Sequence, residues 1–596
     1  MKRFWAFSRA IVAALATLAL MDTWECRFFH FAYPTQSENA TIESIGFGLD
    51  SNAYTVQVTG TNGYRAESTA AKFSRVVAAQ YYQTSDDTRI YGYVYGGSGG
   101  SNQVIGGIEN TIRIWDGAVA MVQATPVSAP NGPSIRAMAG LVLRNKSAEI
   151  QDALRPGGSG NPLSIPTLTQ VERSMLLEVT KLGVPIGTWE HFNETLDSTY
   201  ADDFWSKPGY LGTEQSPLGD ILRGALVEFN TTVQSVDLDA SGKVINLLLD
   251  TSPASVADIY GYDVAVIGSN GTNLGVLSGT FYASSKVMAF NDSTAASNDP
   301  SLQTQLSKGI RLHVDNIWSL AVHAYYRHQV PQRAGFYGFD QFRTTNGTLY
   351  PQRPIDTSQI LASTVSGGGH TGAIGCKLIV IQNLMDSDAF PWHADWYRSQ
   401  VKQQLGDRFD DNYRLWYNGN AEHYYEERPL DRLAIIVPYN GIYQQSLRDI
   451  SAWVEDGVPA PDTTSYTIST DDNSVQLPST AAERRGVQPV IELSVDGSRK
   501  ITVKLGQAVT FRATIEAPPG TGEVVDVEWD LFSTGKFSHP GPAITPNQTV
   551  HAEHTVTYNT IEDHVVVVRA TSNRKGDPGA AYARVMNLAR VNLLVE

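Results

Sequence analysis

The sequence predicts an α/β fold in which a parallel sheet flanked by helices is interrupted by a large insertion and followed by an all-β sandwich. Three observations predict it. Between residues 53 and 122, runs of strand length trade places with runs of helical period, the alternation that builds parallel sheets. The same alternation returns between 376 and 417, after a long stretch that lacks it. From about 488 onward the pattern changes to short period-two runs separated by turn residues, which is how antiparallel sandwiches read.

Each element follows in order. Residues 53–58 alternate like a strand, and within 64–82 the residues Ala66, Ala70, Phe73 and Val77 recur at 4-3-4 spacing, painting one helical face. Residues 89–95 form the next strand, 99–111 the next helix and 115–122 another strand. Across 125–365, loops rich in Gly, Pro and Asn separate helical pieces such as 170–182 and 316–329 and a strand-like patch over 243–266, so this region reads as a lid inserted into the sheet. The parallel pattern resumes with a strand over 376–382, a helix over 392–405 and a strand over 413–417. Residues 456–487, rich in Ser, Thr, Pro and Asp, read as a linker. The expected organisation is a leader over 1–22, a sheet domain over 28–455, the linker, and a sandwich over 488–596.

Composition narrows the class. Hydrophobic residues make up 42% of the chain and charged residues 18%, the balance of a folded rather than a disordered protein. A net charge of −16 without a long basic run argues against nucleic acid or anionic lipid as a partner. Lys2 and Arg3 precede an apolar run over 10–20, as in a secretory signal, and the run is too short to span a bilayer; a buried helix or a signal anchor is the alternative. Eight N-x-[ST] sequons, at Asn39, Asn145, Asn193, Asn230, Asn270, Asn291, Asn346 and Asn547, fit a secreted, N-glycosylated protein with no membrane association after processing. With only Cys26 and Cys376, a disulfide-dense scaffold and a cysteine-rich zinc site are excluded, and spacing does not decide whether the two pair.

The chemistry points to Ser98. It sits in Tyr95-Gly96-Gly97-Ser98-Gly99-Gly100, after an apolar run and before a helical stretch, the layout of a G-x-S-x-G nucleophile elbow. A serine thrust out at so sharp a turn needs small neighbours, because strand, helix and substrate approach it closely. Acyl transfer also needs an imidazole to take the serine proton and a carboxylate to orient it. In an α/β-hydrolase sheet these follow in the order Ser, Asp, His, each after a strand. Asp386 follows the strand ending at Gln382, and His423 lies on a Gly/Asn-rich loop after the strand ending at Tyr417. Asp388 is the rival acid and His393 the rival base, although His393 falls inside a predicted helix.

The backbone N–H of Gly99 is one oxyanion donor by geometry. A second should come from an earlier strand-to-helix loop, for which only residues between about 28 and 50 are available, with 30–34 a candidate strip that does not identify the donor, and the first antiparallel strands of the usual hydrolase sheet are missing. The glycine-rich turn could cradle a phosphate, but Asn102 stands where that fingerprint needs its last glycine. Ser101 is a poor substitute nucleophile, having Gln103 at its +2 position. No H-E-x-x-H exists, and His323 and His328 do not share a helical face well, so no metal site and no cofactor are expected.

The elbow Tyr-Gly-Gly-Ser98-Gly-Gly-Ser, the following Ile-Glu-Asn-Thr and Trp-Asp116-Gly, and the stretch from Lys377 to Tyr397 with Asp386, then His423, resemble the tannase and feruloyl-esterase-like group of α/β-hydrolases over roughly 28–480. That resemblance implies a secreted serine esterase acting on phenolic-acid esters, small or polymer-linked, with Ser98 as nucleophile, His423 as base and Asp386 as its orienter. It departs at Gly97 and Tyr424, where tannase-type enzymes carry cysteines that tie the two loops together. The tail, with Val527-Glu528-Trp529-Asp530 and Tyr558, resembles a PKD or immunoglobulin-like module. Two alternatives stand beside the esterase: a catalytically silent hydrolase-like scaffold that binds an extracellular or cell-wall polymer, and a serine peptidase.

Overall fold

The computed structural model describes residues 23–596 apart from 60–62, 86, 126–130, 197–216, 254–260, 291–297, 353–366, 368, 426–427 and 541–543. The expected leader and the sequon at Asn291 lie outside the described residues.

Four parallel strands open the chain: β1 (Arg27–Phe31), β2 (Ala53–Val56), β3 (Tyr91–Ser98) and β4 (Gly117–Gln123). Helices α1 (Ile42–Asp50), α2 (Gly63–Tyr82) and α3 (Gly99–Asn110) connect them. An insertion follows, beginning with helices α4 (Asn131–Leu143) and α5 (Gln170–Leu182). Its second half is a closed six-stranded barrel of β5 (Glu228–Leu238), β6 (Val244–Leu249), β7 (Tyr262–Ile267), β8 (Asn273–Tyr282), β9 (Val287–Ala289) and β10 (Arg311–Asp315). Strands β11 (Lys377–Asn383) and β12 (Tyr413–Asn418), with α6 (Pro391–Leu405) between them, complete the central sheet in the order β12-β11-β4-β3-β1-β2. Helix α7 (Asn440–Glu455) then packs on β4 and β11.

Alternation along each strand sends neighbouring residues to opposite faces. Phe28, Val94, Ala118 and Val380 therefore enter one core, with α2 to α6, whereas Phe29, Tyr93, Val119 and Ile379 enter the other, with α1 and α7. Burial on both faces explains why β4 and β11 are nearly unbroken apolar runs.

Several features differ from the sequence reading, beginning with β1 and α1, which form where no element was expected. The barrel replaces the single strand-like patch, and its interior is filled by Leu247, Val264, Leu277 and Val314; closure leaves no free edge on a small sheet. The helix expected over 316–329 breaks at Ala324 into Ile317–His323 and Tyr325–His328. Residues 456–487 form a strap rather than a loose linker. Thr463 Oγ1 accepts from Leu415 N–H at 3.1 Å and Thr464 Oγ1 from Tyr417 N–H at 3.1 Å, while Thr464 N–H donates to Leu415 O at 2.9 Å. The strap thus satisfies the backbone of edge strand β12, which would otherwise be open to pairing with another chain.

Beyond the strap, the strands Val490–Val495, Ala508–Glu516 and Thr549–Thr557 form one sheet. Lys500–Val503, Glu523–Asp530, His539–Pro540, Asp563–Asn573 and Val585–Val595 form the second. The two share a core containing Phe511, Trp529, Val566 and Val591. Cys26 and Cys376 are both free thiols. No helix among the described residues is long and apolar enough to cross a membrane.

Candidate active site

Because all six strands of the central sheet are parallel, their C-terminal ends share one edge, and the loops leaving them meet there. Ser98 is the last residue of β3 and immediately precedes α3, with φ 54° and ψ −120°. That conformation is costly for any residue with a Cβ, so it persists only where surrounding structure enforces it. The enforcement is visible in the glycines around it. A Cβ on Gly96 or on Gly100 would come within 2.2 Å of the Ala32 carbonyl oxygen, at the exit of β1, and one on Gly99 would meet Pro34 at 2.9 Å. Strand, helix and the 32–34 loop therefore close to backbone contact around the serine. Ser101 Oγ is buried there, donating to Ser98 O at 2.5 Å and accepting from Ala124 N–H at 3.2 Å, which makes it a structural brace for the turn.

The loops after β11 and β12 continue the pairing of their strands. Leu384 N–H donates to Asn418 O and Met385 N–H to Ala421 O, both at 2.9 Å. This brings Asp386 against His423, whose Nδ1–H donates to the carboxylate at 2.9 and 3.0 Å. Asp386 is fully buried, and its Oδ1 also accepts from the N–H groups of Asp388 at 2.8 Å and Ala389 at 2.7 Å. Burial pushes the Asp386 carboxyl up from its ordinary value, and the neighbouring His423 pulls it back. For His423, burial works downward but is outweighed by the charge and hydrogen bond of Asp386, which raise it to about 9. The bond holds one proton on Nδ1, so that Nε2 is the acceptor once the ring is neutral.

Both rivals are engaged elsewhere. Asp388 pairs with the buried Arg136 of α4 at 2.6 Å, and Arg136 also donates to Ser387 Oγ at 3.0 Å, so this arginine clamps the acid loop. His393 is buried in α6 with its ring edge-on to Trp392, and burial lowers it to about 3. A neutral imidazole sealed among aromatic rings is poorly placed to exchange protons with substrate. Asp386, Asp388 and His423 are the one group among the described residues whose candidate metal-ligand atoms gather within 4.8 Å. The atoms that would do so already serve the Nδ1–carboxylate bond and the Arg136 ion pair.

The C-terminal ends of β3, β11 and β12 bring Ser98, Asp386 and His423 to one sheet edge, and Asp386 touches His423. Among the described residues, no hydrogen bond joins Ser98 to His423. Sequence reasoning missed Arg136, which no motif marks, and the tie between the His423 loop and the C-terminal sandwich. Beside His423 lies a cavity of about 210 Å³ lined by Arg136, Ser387, Asp388, Tyr424 and Arg428. Tyr424 is 45% exposed, and the Arg428 guanidinium sits 4.5 Å from its ring centroid.

No family model matches the chain, and no curated protein matches it. Solved structures similar to it include tannin acyl hydrolase from Aspergillus niger, at 13% identity over 79% of this chain and 80% of that one, with a TM-score of 0.34. Feruloyl esterase B from Aspergillus oryzae is similar at 12% identity over 76% and 80%, TM-score 0.32. An esterase from Aspergillus oryzae is similar at 15% identity over 76% and 79%, TM-score 0.28. Likenesses this faint leave the geometry as the ground for a functional reading.

Proposed function

We propose that the protein is a secreted serine carboxylic-ester hydrolase that works through an acyl-serine intermediate with its own side-chain and backbone groups. The observation that carries this reading is the Asp386–His423 pair held on the sheet edge where the strained Ser98 turn projects. Ser98 Oγ attacks the ester carbonyl as His423 Nε2 accepts its proton. The Gly99 N–H, at the start of α3 where helical N–H groups lack intrahelical partners, takes up charge on the oxyanion. Tyr33 N–H, which donates to no group among the described residues and follows the Ala32 carbonyl packed on Gly96 and Gly100, supplies the second donor. Collapse expels the alcohol, protonated by His423, and water deacylates the serine by the same relay in reverse.

The exposed Tyr424 ring beside His423 offers a flat surface for an aromatic acid or alcohol, which favours phenolic-acid esters, small or polymer-linked, as substrates. All seven sequon asparagines within the described residues are exposed, which supports a glycosylated, extracellular protein. A silent scaffold is the second reading, favoured by the missing Ser98–His423 hydrogen bond, although such bonds are often long in unliganded enzymes.

A fluorophosphonate probe and a p-nitrophenyl ester separate the two. The esterase labels at Ser98 and loses both reactions in Ser98→Ala. Absence of labelling in the wild-type protein, or undiminished turnover in the variant, would refute the assignment of nucleophile.

A further inference from the structure

The His423 loop is held from two sides. From the sheet domain, Asn383 Nδ2 donates to Glu422 O at 2.7 Å and the Tyr439 hydroxyl to His423 O at 3.0 Å. The other side is the C-terminal sandwich. Gln488, at its entrance, accepts from Gly419 N–H at 2.8 Å and donates to Gly419 O and to Met586 O, each at 3.0 Å. Asn420 Nδ2 donates to Asn587 Oδ1 and to Leu588 O, both at 2.9 Å, and Asn587 Nδ2 in turn donates to Pro489 O at 2.7 Å. Asn420 is held at φ 52°, a left-handed conformation in which its side chain, rather than a repeating ladder, supplies the bonds. His423 lies three residues further along.

Gln488 and Asn587 are each only 4% exposed, so separating the sandwich from the loop would leave buried amide groups without partners, a costly condition. Elsewhere the contact is also intimate. Val437 of the sheet domain packs with Val567 and Leu588 of the sandwich, Arg590 makes a two-pronged bond to Glu190 at 2.7 Å per prong, and Arg574 bonds Asp449 at 2.7 Å. A spacer or a tethered binding module would not need such an interface.

We propose that the C-terminal sandwich is a working part of the esterase site, and that Gln488 and Asn587 are positioning residues that set the register of the His423 loop. This rests on His423 acting as the base. The test compares Gln488→Ala, Asn587→Ala and their double variant with Arg574→Ala, which loosens the same interface away from the loop. A 1 Å misplacement of a reacting group costs up to about 100-fold, so kcat is expected to fall about tenfold in each single variant and about 100-fold in the double, with KM within about twofold. Arg574→Ala should lower the unfolding temperature and leave kcat in place. Gln488→Glu keeps the acceptor for Gly419 N–H but sets a buried carboxylate oxygen against the Gly419 and Met586 carbonyls that the amide bonds, so it should lose at least as much activity as Gln488→Ala.

The second readout is the NMR signal of the His423 Nδ1 proton bonded to Asp386, which should broaden in the double variant. That signal reports the loop whether or not the protein hydrolyses esters. If His423→Ala keeps wild-type activity, the base assignment fails, and the proton signal still decides whether the sandwich orders the loop. Folded Gln488→Ala and Asn587→Ala proteins with wild-type kcat and an unchanged proton signal would overturn the proposal, as would an equal loss of kcat in Arg574→Ala.

Discussion

Adding one methyl group at Gly100 is expected to cripple catalysis, whereas adding one at Gly97, three residues away in the same glycine run, is expected to spare it. On Gly100 the new Cβ would lie 2.2 Å from the Ala32 carbonyl oxygen and 3.3 Å from its carbonyl carbon, where ordinary contact begins at 3.4 Å. The shortfall is 1.2 Å. The obstructing atom belongs to the backbone, so no side-chain rotation relieves it, and Ala32 is itself anchored by its N–H bond to Tyr95 O at 2.9 Å. Either the exit of β1 or the start of α3 must move by about an ångström. Those two segments carry the two proposed oxyanion donors, Tyr33 N–H and Gly99 N–H. Overpacking of this kind costs roughly 1–3 kcal/mol of stability, and loss of one oxyanion donor costs about 10²–10³ in kcat. On Gly97 the Cβ would meet only Val122 Cγ2 at 3.4 Å and the Met121 side chain at 3.6 Å, so kcat and unfolding temperature should stay near wild type. Initial rates on a p-nitrophenyl ester and thermal unfolding measured on both variants decide the matter. Wild-type kcat in Gly100→Ala would show that the close approach around Ser98 has no part in positioning the oxyanion donors.

The pH–rate profile carries a second expectation. With His423 raised to about 9 from its ordinary 6.5, the ring is protonated and useless as a base below that value, so the acid limb of kcat/KM should lie above pH 6.5. Asp386→Asn removes the group that raises it, moving the limb down while kcat drops by about 10⁴; a wild-type limb at or below 6.5 would contradict the strength of the pair. Ser98→Gly relieves the positive φ that Ser98→Ala retains, so both variants should be inactive but the glycine variant more stable by about 1 kcal/mol, as read by thermal or urea unfolding. Thr464→Val removes the acceptor for the buried Tyr417 N–H and should cost about 1–3 kcal/mol, a loss that urea unfolding would register and that no change in substrate would offset.

Five of the six central strands were legible because each is buried on both faces and therefore spells out a local apolar run, whereas β1, a five-residue strand with the buried His30 inside it, was not read as one. Tyr413 to Tyr417 and Cys376 to Gln382 needed no partner in view to be read as strands. The barrel was not legible for the opposite reason. In β5 and β8 inward residues alternate with exposed ones such as Leu238, Leu274 and Val276, so apolar side chains fall on both faces and period two is blurred. Closure, moreover, is a property of six strands together, and no single one announces it. Thr463 and Thr464 misled differently. Hydroxyl-rich composition signals a linker when nothing is near, yet the same hydroxyls are good acceptors once an edge strand lies alongside.

For the site, the order Ser, Asp, His followed from chain topology alone, since in a parallel sheet every crossover returns to the same edge and each post-strand loop becomes a candidate. The choice of Asp386 over Asp388 rested on nearness to the strand end. In the structure Asp386 accepts from two backbone N–H groups and from His423, while Asp388 faces Arg136, 252 residues away in sequence. The order of residues along the chain gives no hint of that arginine, nor of Gln488 and Asn587 reaching across to Gly419 and Asn420. The proposed nucleophile, base and acid lie on elements that each form locally. The groups that hold them come from contacts between elements that the chain keeps far apart, so a reading of local pattern finds the proposed reacting groups and misses what keeps them in register.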